Sequence, residues 1–298
     1  MVAAARRMAA VIGLTAAALT LAACSAGGDN TAAASGSTYG ISPQRVLPAP
    51  SRMLATTQLQ ANGVMWALTG PGSAGLVEIS PATGRVETSF PVSDFARSVA
   101  ESPAGVIALA LATGHTGALQ LVNATTKKVT RVAHFPMPAV EVAADPGSST
   151  FYVLTAQAGQ ARVMIVNGDG RVTGTVTVPP DVVSLVPDTR QATLYAMERG
   201  GLLDEISLLG SKRLAQIRVG SGGAESVTLS PDGRTLYVLE QLGGIANVAV
   251  VSAAARAVEK VLPAPGTCVQ VLVAPGGGHL YEIVRAARAG SIQVTAAA

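Results

Sequence analysis

The residues that could do chemistry in this chain are few, and they are charged rather than nucleophilic. Four of them, Arg97, Glu141, Asp181 and Glu225, stand at or beside the starts of apolar segments that recur along the sequence. A guanidinium and three carboxylates brought to one place would bind a polar or zwitterionic group, or a loop of another protein. No Ser/His/Asp order, nucleophile elbow or phosphate-cradling loop accompanies them, so neither a cofactor nor a metal is predicted.

These side chains can meet only if the repeats that carry them form a ring. The clearest repeat is SPDGRTLYVLE at 230–240, which contains an aromatic anchor. Equivalent anchors recur at intervals of 43, 43, 43, 42 and 44 residues. A period of this length, made of short strands and turns, is typical of a β-propeller with one four-stranded blade per repeat. The anchors are Trp66, Leu109, Tyr152, Tyr195, Tyr237 and Tyr281.

Each repeat divides at its turns into four short strands. Around Tyr237 these strands are ESVTLS, TLYVLE, IANVAVVS and AVEKVL, with the first turn at PDGR and the second at Gly243-Gly244. Apolar residues alternate, β-branched residues are common, and no segment shows a sustained helical period, so an all-β fold is predicted. The fourth repeat is predicted to carry a longer turn, from Pro187 to Thr193.

The succession SPDGRTLYVLE, IANVAVVS and AVEKVLPAP resembles the YVTN-type β-propeller repeat, which is related to the NHL-like repeats. The resemblance extends over about residues 42–295. It implies that the strand before the PDG turn lines the central channel and that the VEKVL strand is outermost in its blade. It is specific for the fold and does not specify a function.

The two ends of the repeat region predict six blades. The pentapeptide VLPAP occurs at 46–50 and again at 261–265, and each copy begins 20 residues before an anchor. The domain therefore begins on an outermost strand near 44–48 and ends on a third strand near 291–295. The N-terminal strand is expected to complete the last blade and to close the ring. A seven-bladed ring is the alternative, if residues before 44 supply another strand.

In such a ring, the channel mouth collects the starts of the innermost strands and the loops that join second and third strands. We predict that a ligand would bind there, because only there do all the blades meet. The alternative is that these side chains are solvated rim charges that neutralise one another. The candidate residues are Arg97, Glu141, Asp181, Glu225 and Gln270 at the strand starts, and His115, Arg199 and Arg285 in the loops.

The N-terminus has the pattern of a lipoprotein leader. Arg6 and Arg7 precede an uncharged apolar run, 8–23, which ends in Leu-Ala-Ala before Cys24. This resembles the lipobox of bacterial lipoproteins, whose cysteine is diacylated and becomes the new N-terminus. The sequence thus predicts a signal peptide (1–23), a small and polar lipidated tether (24–42) and a propeller domain (43–298) on the extracytoplasmic face of the cell membrane. An ordinary secretory signal and a transmembrane anchor are the alternatives.

Charge and cysteine content restrict the partners. The chain has 21 Lys and Arg against 18 Asp and Glu. Loss of Arg6 and Arg7 with the leader leaves the two signs almost balanced, and without a polybasic run nucleic-acid binding is not predicted. With Cys24 lipidated, Cys268 has no partner for a disulfide and is predicted to be a buried small apolar residue. The three histidines lie far apart in the repeat, so no metal-ligand spacing joins them.

Two classes of function remain. The first is a non-catalytic binding or scaffolding module, a monomer held to the membrane through the lipid on Cys24, that serves an exported protein, a glycan or a small ligand. The second is a channel-mouth enzyme of the lactonase-like or lyase-like propeller type. The lack of a catalytic constellation in the sequence favours the first.

Overall fold

The computed structural model describes residues 45–50, 52–57, 64–70, 74–285 and 290–297. The predicted signal peptide (1–23), Cys24 and the predicted tether (24–42) lie outside these residues. Within them, all regular secondary structure is β-strand, and no helix long and apolar enough to cross a membrane occurs. The prediction of an all-β fold is confirmed.

The described strands form six antiparallel sheets of four strands each. The first described strand is β1 (Arg45–Ala49). Blade 1 contains β2 (Met53–Thr56), β3 (Met65–Thr69), β4 (Gly75–Ile79) and β5 (Val86–Pro91). Blade 2 contains β6 (Ala96–Glu101), β7 (Val106–Thr113), β8 (Thr116–Asn123) and β9 (Val129–Phe135). Blade 3 contains β10 (Ala139–Ala144), β11 (Phe151–Gln157), β12 (Gln160–Val166) and β13 (Val172–Val178).

The remaining three blades follow the same order along the chain. Blade 4 contains β14 (Val182–Asp188), β15 (Thr193–Glu198), β16 (Leu202–Ser207) and β17 (Arg213–Arg218). Blade 5 contains β18 (Ala224–Leu229), β19 (Thr235–Leu242), β20 (Ile245–Ser252) and β21 (Ala257–Ala264). Blade 6 contains β22 (Cys268–Val273), β23 (His279–Val284) and β24 (Gly290–Ala296), and β1 is its fourth strand.

The N-terminal strand closes the ring, as the sequence predicts. β1 pairs antiparallel with β24, with Arg45 opposite Val294 and Ala49 opposite Gly290. The first strands of successive blades contact one another in turn, and the contact of β2 with β22 completes the circle. The described strands thus form a six-bladed propeller rather than a seven-bladed one, and the edge of blade 6 is paired with chain from the other end of the domain.

The turn of the blade 5 repeat shows how sequence sets the local structure. Gly233 adopts a φ of 75°, which a glycine reaches without steric cost. The Ser230 hydroxyl donates to Oδ1 of Asp232 at 2.6 Å and accepts from the backbone N–H of Thr235 at 2.9 Å. These bonds fix the reversal between β18 and β19, and therefore the register in which Thr228 faces Tyr237.

The aromatic anchors pack between blades. Tyr237 is 2% exposed, and it shares an apolar cluster with Cys268 and Val271 of the next blade. Trp66 packs in the same way against Val99 of blade 2. Each aromatic anchor therefore packs its ring against the next blade. Blade 2 departs from the prediction: its first hairpin is one residue shorter, so Ala108 takes the anchor position and Leu109 packs towards blade 1.

Ion pairs reinforce two opposite junctions. Arg256 binds Glu205 of blade 4 through Nε at 2.9 Å and Nη2 at 3.2 Å. Lys127 binds Glu78 of blade 1 at 3.2 Å, and its Nζ lies 4.0 Å from the ring centroid of Trp66. Both basic residues occupy the turn before the fourth strand of the following blade, with φ values of 55° and 57°. An ion pair from this turn therefore joins blade 1 to blade 2, and an equivalent ion pair joins blade 4 to blade 5.

Blade 4 differs from the prediction in one respect. The sequence predicts a long turn from Pro187 to Thr193, but Pro187 and Asp188 pair with Leu194 and Thr193 as part of β14 and β15. The turn is only the segment 189–192. The sequence alignment places Asp181 at the start of the innermost strand of blade 4. In the structure this strand starts at Val182, and its bulged residue is Val183.

Candidate functional site

The six innermost strands enclose a cavity of about 640 Å³ along the axis of the ring. Each of these strands begins with a β-bulge, where two of its residues oppose one residue of the second strand. We call the six bulged residues the mouth ring, and all of them line the cavity. The mouth ring consists of Leu54, Arg97, Val140, Val183, Glu225 and Val269.

The mouth ring contains one positive and one negative charge. Arg97 belongs to blade 2 and Glu225 to blade 5, and blades three apart in a ring of six lie on opposite sides of the channel. Both residues are exposed. Nη1 of Arg97 donates to the carbonyl of Asp94 at 3.3 Å and to that of Ala96 at 3.4 Å, which holds the guanidinium at the rim of its own blade. The other four members of the mouth ring are apolar.

The residues that follow the bulges form a second, deeper ring, which we call the polar belt. Five of its six side chains are polar, and they join neighbouring blades. Ser98 accepts a hydrogen bond from the backbone N–H of Val142 in blade 3 at 3.2 Å, and Ser226 accepts one from Val271 in blade 6 at 3.2 Å. The members of the polar belt are Ala55, Ser98, Glu141, Ser184, Ser226 and Gln270.

Gln270 makes the strongest belt contact, at the junction where the two ends of the chain meet. Its Oε1 accepts from the backbone N–H of Thr56 at 2.8 Å and from the Thr56 hydroxyl at 2.9 Å. Its Nε2 donates to the Thr56 carbonyl at 3.0 Å. Arg285 adds a fourth bond across the same junction, from Nε to the Met53 carbonyl at 3.1 Å. These two candidate residues therefore hold blade 6 against blade 1.

Glu141 is the one ionisable member of the polar belt. Its Oε1 accepts a 2.8 Å hydrogen bond from the Ser184 hydroxyl, whose oxygen in turn accepts from the backbone N–H of Val227 at 3.1 Å. Part of the side chain reaches the cavity, but Oε2 is buried and has no hydrogen-bond partner among the described residues. Burial raises the pKa of Glu141 to about 8, against the opposing hydrogen bonds from Ser184 and the Leu185 backbone.

Glu141 is therefore mostly neutral at pH 7. Because Oε1 accepts the bond from Ser184, the proton of the neutral form is assigned to Oε2, which has no hydrogen-bond partner among the described residues. Near the mouth, the cavity wall thus combines two opposed charges with a neutral belt. This arrangement suits a ligand that carries its own charges at its ends and not in its middle.

Four candidate residues lie outside the cavity wall. Asp181 is an exposed residue of the loop before β14, and Val183 occupies the mouth-ring position that the sequence alignment gave to Asp181. Arg199 is exposed, and its backbone N–H donates to the Asp181 carbonyl at 3.0 Å. His115 makes a 2.6 Å contact through Nδ1 with Nε2 of Gln157, which links the hairpin tips of blades 2 and 3. Arg285 donates to the Met53 carbonyl at the junction of blades 6 and 1.

Sequence reasoning missed Val183 and Ser184. A signal for both was present, because each mouth-ring residue precedes the anchor of its blade by twelve positions. Val183 lies twelve positions before Tyr195 and so belongs to the mouth ring. The next residue, Ser184, then belongs to the polar belt. The predicted long turn obscured the offset in blade 4.

The free thiol at Cys268 is buried, as predicted. Burial raises its pKa to about 12, with a further contribution from the nearby charge of Glu282. A thiol of this kind is almost entirely protonated at neutral pH and is a poor nucleophile. Its Sγ contacts the Gln270 carbonyl at 3.4 Å.

Among the described residues, no group of three or more His, Cys, Asp or Glu side chains is placed to hold a metal ion.

No protein-family model and no curated protein matches this sequence. Many solved structures resemble it, among them the following two. Hydrazine synthase from Kuenenia stuttgartiensis aligns with a TM-score of 0.60 at 16% identity, over 79% of this chain and 74% of that one. The β-propeller domain of Cps50 (Swd1) from Myceliophteria thermophila aligns with a TM-score of 0.61 at 14% identity, over 81% of this chain and 82% of that one. At such identities the likeness shows the fold alone: this chain is a six-bladed β-propeller.

Proposed function

We propose that this chain is a non-catalytic binding module, anchored to the extracytoplasmic face of a bacterial membrane through Cys24, that takes its ligand at the channel mouth. One observation carries the binding part of this proposal. Bulged residues from all six blades line one cavity of about 640 Å³, and the two charged ones among them face it from opposite blades. Polar groups that converge on one concave surface are the usual feature of a ligand site.

The path of the N-terminal strand supports the orientation of this module. Gly290 pairs with Ala49 near the mouth, whereas Val294 pairs with Arg45 at the other end of blade 6. The chain that leads to the predicted tether therefore enters the propeller at the end away from the mouth ring. A lipid anchor joined there would leave the channel mouth free for a partner that comes from outside the cell.

The type of partner is inferred from the charges at the channel mouth and from the pairing of β1 with the edge strand of blade 6. An exported protein, a glycan or a small ligand fits a mouth with one charge of each sign. A nucleic acid does not, because the chain offers no basic surface run to the phosphates. The propeller acts as a monomer in this proposal, since β1 pairs the edge that a second copy would otherwise use. The YVTN-type resemblance agrees with a propeller of this kind.

The anchoring is tested by expressing the full-length chain in a bacterial host that processes lipoproteins. The wild-type protein should be found in the membrane fraction, with an intact mass that shows loss of residues 1–23 and diacylation of Cys24. Cys24→Ala should yield an uncleaved or a soluble species. A processed N-terminus with an unmodified Cys24 would refute the lipid anchor.

The binding is tested by blocking the channel. Ala143 lines the cavity on blade 3, and Ala143→Trp would fill space at the channel wall. Ala257 is exposed at the start of the outermost strand of blade 5, so Ala257→Trp is the matched control. Native mass spectrometry of protein extracted gently from the host membrane should show a bound species on the wild type and the control. If the channel variant retains that species, the ligand binds elsewhere.

A further inference from the structure

The only two charged residues of the mouth ring, Arg97 and Glu225, face each other across the channel. They form no ion pair with each other. The carboxylate of Glu225 has no hydrogen bond or ion pair with any described residue, and Arg97 uses only Nη1, for the two long bonds to its own loop. Each group therefore keeps free hydrogen-bonding capacity on the cavity side of its blade.

The surface between the two charges is apolar. Leu54 and Val269 separate them on one side of the ring, and Val140 and Val183 separate them on the other. Val140 is 37% exposed, and the other three are half-buried. An apolar chain that crosses the mouth from Arg97 to Glu225 would lie against these side chains and would bury their surface from water.

The polar belt beneath the mouth ring adds little charge of its own to the channel wall. Its amide and three hydroxyl groups bond to neighbouring blades, and its one carboxyl group, that of Glu141, is held in a neutral form by burial. The charges that a ligand meets first are thus the pair in the mouth ring.

Resting on the proposed binding function, we infer that the ligand is a zwitterion, with a carboxylate that binds Arg97 and an ammonium group that binds Glu225, joined by an apolar segment that spans the mouth. Charge complementarity selects this class. A dication or a dianion would bring one repelled group to the mouth, and a compact zwitterion would reach only one of the two residues.

The test uses a series of linear ω-amino acids, from 4-aminobutanoate to 12-aminododecanoate, titrated calorimetrically into the full-length protein. Affinity should pass through a maximum at one chain length, which reports the separation of the two charges. The alkylamine and the alkanoate of that same length, each with one charge, should bind about tenfold to a hundredfold more weakly, the loss expected for one charge-assisted hydrogen bond.

Charge reversal makes the test specific. Arg97→Glu would give two opposed carboxylates, and this variant should prefer the α,ω-diamine of the best length. Glu225→Arg should prefer the dicarboxylate of that length. The double reversal restores one charge of each sign on opposite blades and should again prefer the ω-amino acid. The three variants change exposed side chains outside the apolar junctions, and unchanged melting temperatures would verify that they fold.

The outcomes separate this inference from the binding function on which it rests. If singly charged and zwitterionic probes bind equally well, and Ala143→Trp abolishes both, the channel binds ligands but the zwitterion inference is wrong. If no probe in the series binds the wild type, the inference is wrong, while the species found by native mass spectrometry still decides the binding function. If preferences do not follow the reversals, the charges do not contact the ligand.

Discussion

Replacing Glu141 by glutamine should stabilise the propeller at neutral and alkaline pH, although it removes an ionisable group from the channel wall. Glutamine keeps the acceptor oxygen that Ser184 uses. It also keeps a donor in the place of the protonated Oε2. The variant therefore differs from the neutral form of the wild type in little except that it cannot ionise.

The size of the effect follows from the pKa of Glu141, which burial raises from 4.5 to about 8. Between these two values the folded protein binds a proton that the unfolded chain has lost. The free energy of unfolding must then fall as the pH rises through this window, and it levels off above pH 8. Since each tenfold change in proton affinity is worth about 1.4 kcal/mol, the total loss is about 5 kcal/mol, of which about 3.5 kcal/mol falls between pH 5 and pH 8.

The assay is urea denaturation of both proteins at pH 5, 6, 7 and 8. The difference in unfolding free energy should be about 1 kcal/mol at pH 5 and should grow by about 3.5 kcal/mol in favour of Glu141→Gln by pH 8. Glu101 and Glu282, whose pKa values burial also raises to about 7, give both proteins the same background slope, which cancels in the difference. Glu225→Gln, at an exposed carboxylate, is the control and should show no such trend. Parallel pH profiles for wild type and Glu141→Gln would refute the reasoning.

Three further predictions concern how the ring is held together; the first two are measured by urea denaturation and the third by thermal denaturation. Tyr237→Ala should cost about 3–5 kcal/mol because the buried ring fills a blade junction, and a cost below about 1 kcal/mol would contradict that packing. Gln270→Ala should cost about 2–3 kcal/mol because three hydrogen bonds to Thr56 are lost, whereas Ser226→Ala, with one belt bond, should cost about 1 kcal/mol. Deletion of 45–49 should destabilise the whole domain by exposing the edge of β24, and an unchanged melting temperature would refute closure by β1.

The fold could be predicted because its determinants repeat. An aromatic anchor such as Tyr195 fills the same space between blades in five of the six repeats, so the spacing of these residues along the chain follows the spacing of the blades. Closure could be predicted as well, because VLPAP marks an outermost strand at both 46–50 and 261–265. Packing constraints of this kind act on one residue type at one position, and such constraints are visible in a single sequence.

The polar belt could not be predicted in the same way, because its geometry repeats while its residue types do not. Serine, glutamate and glutamine all accept a hydrogen bond from the next blade, although they share no apolar pattern. Ser184 was missed for this reason and because the assumed long turn moved the alignment to Asp181. Four of the residues predicted for the channel mouth, Arg97, Glu141, Glu225 and Gln270, do line the cavity, and their part in binding stays a prediction.

The junction between blades 1 and 2 shows that the ring does not need every belt contact. Ala55 has no polar side chain, so the belt lacks its bond to blade 2 there. At the same junction the cation–π contact of Lys127 with Trp66, and its ion pair with Glu78, join the two blades closer to their outer strands. Stability at each junction is therefore set by the sum of inner and outer contacts. The charges at the mouth belong to neither set, which leaves Arg97 and Glu225 available for recognition without cost to the fold.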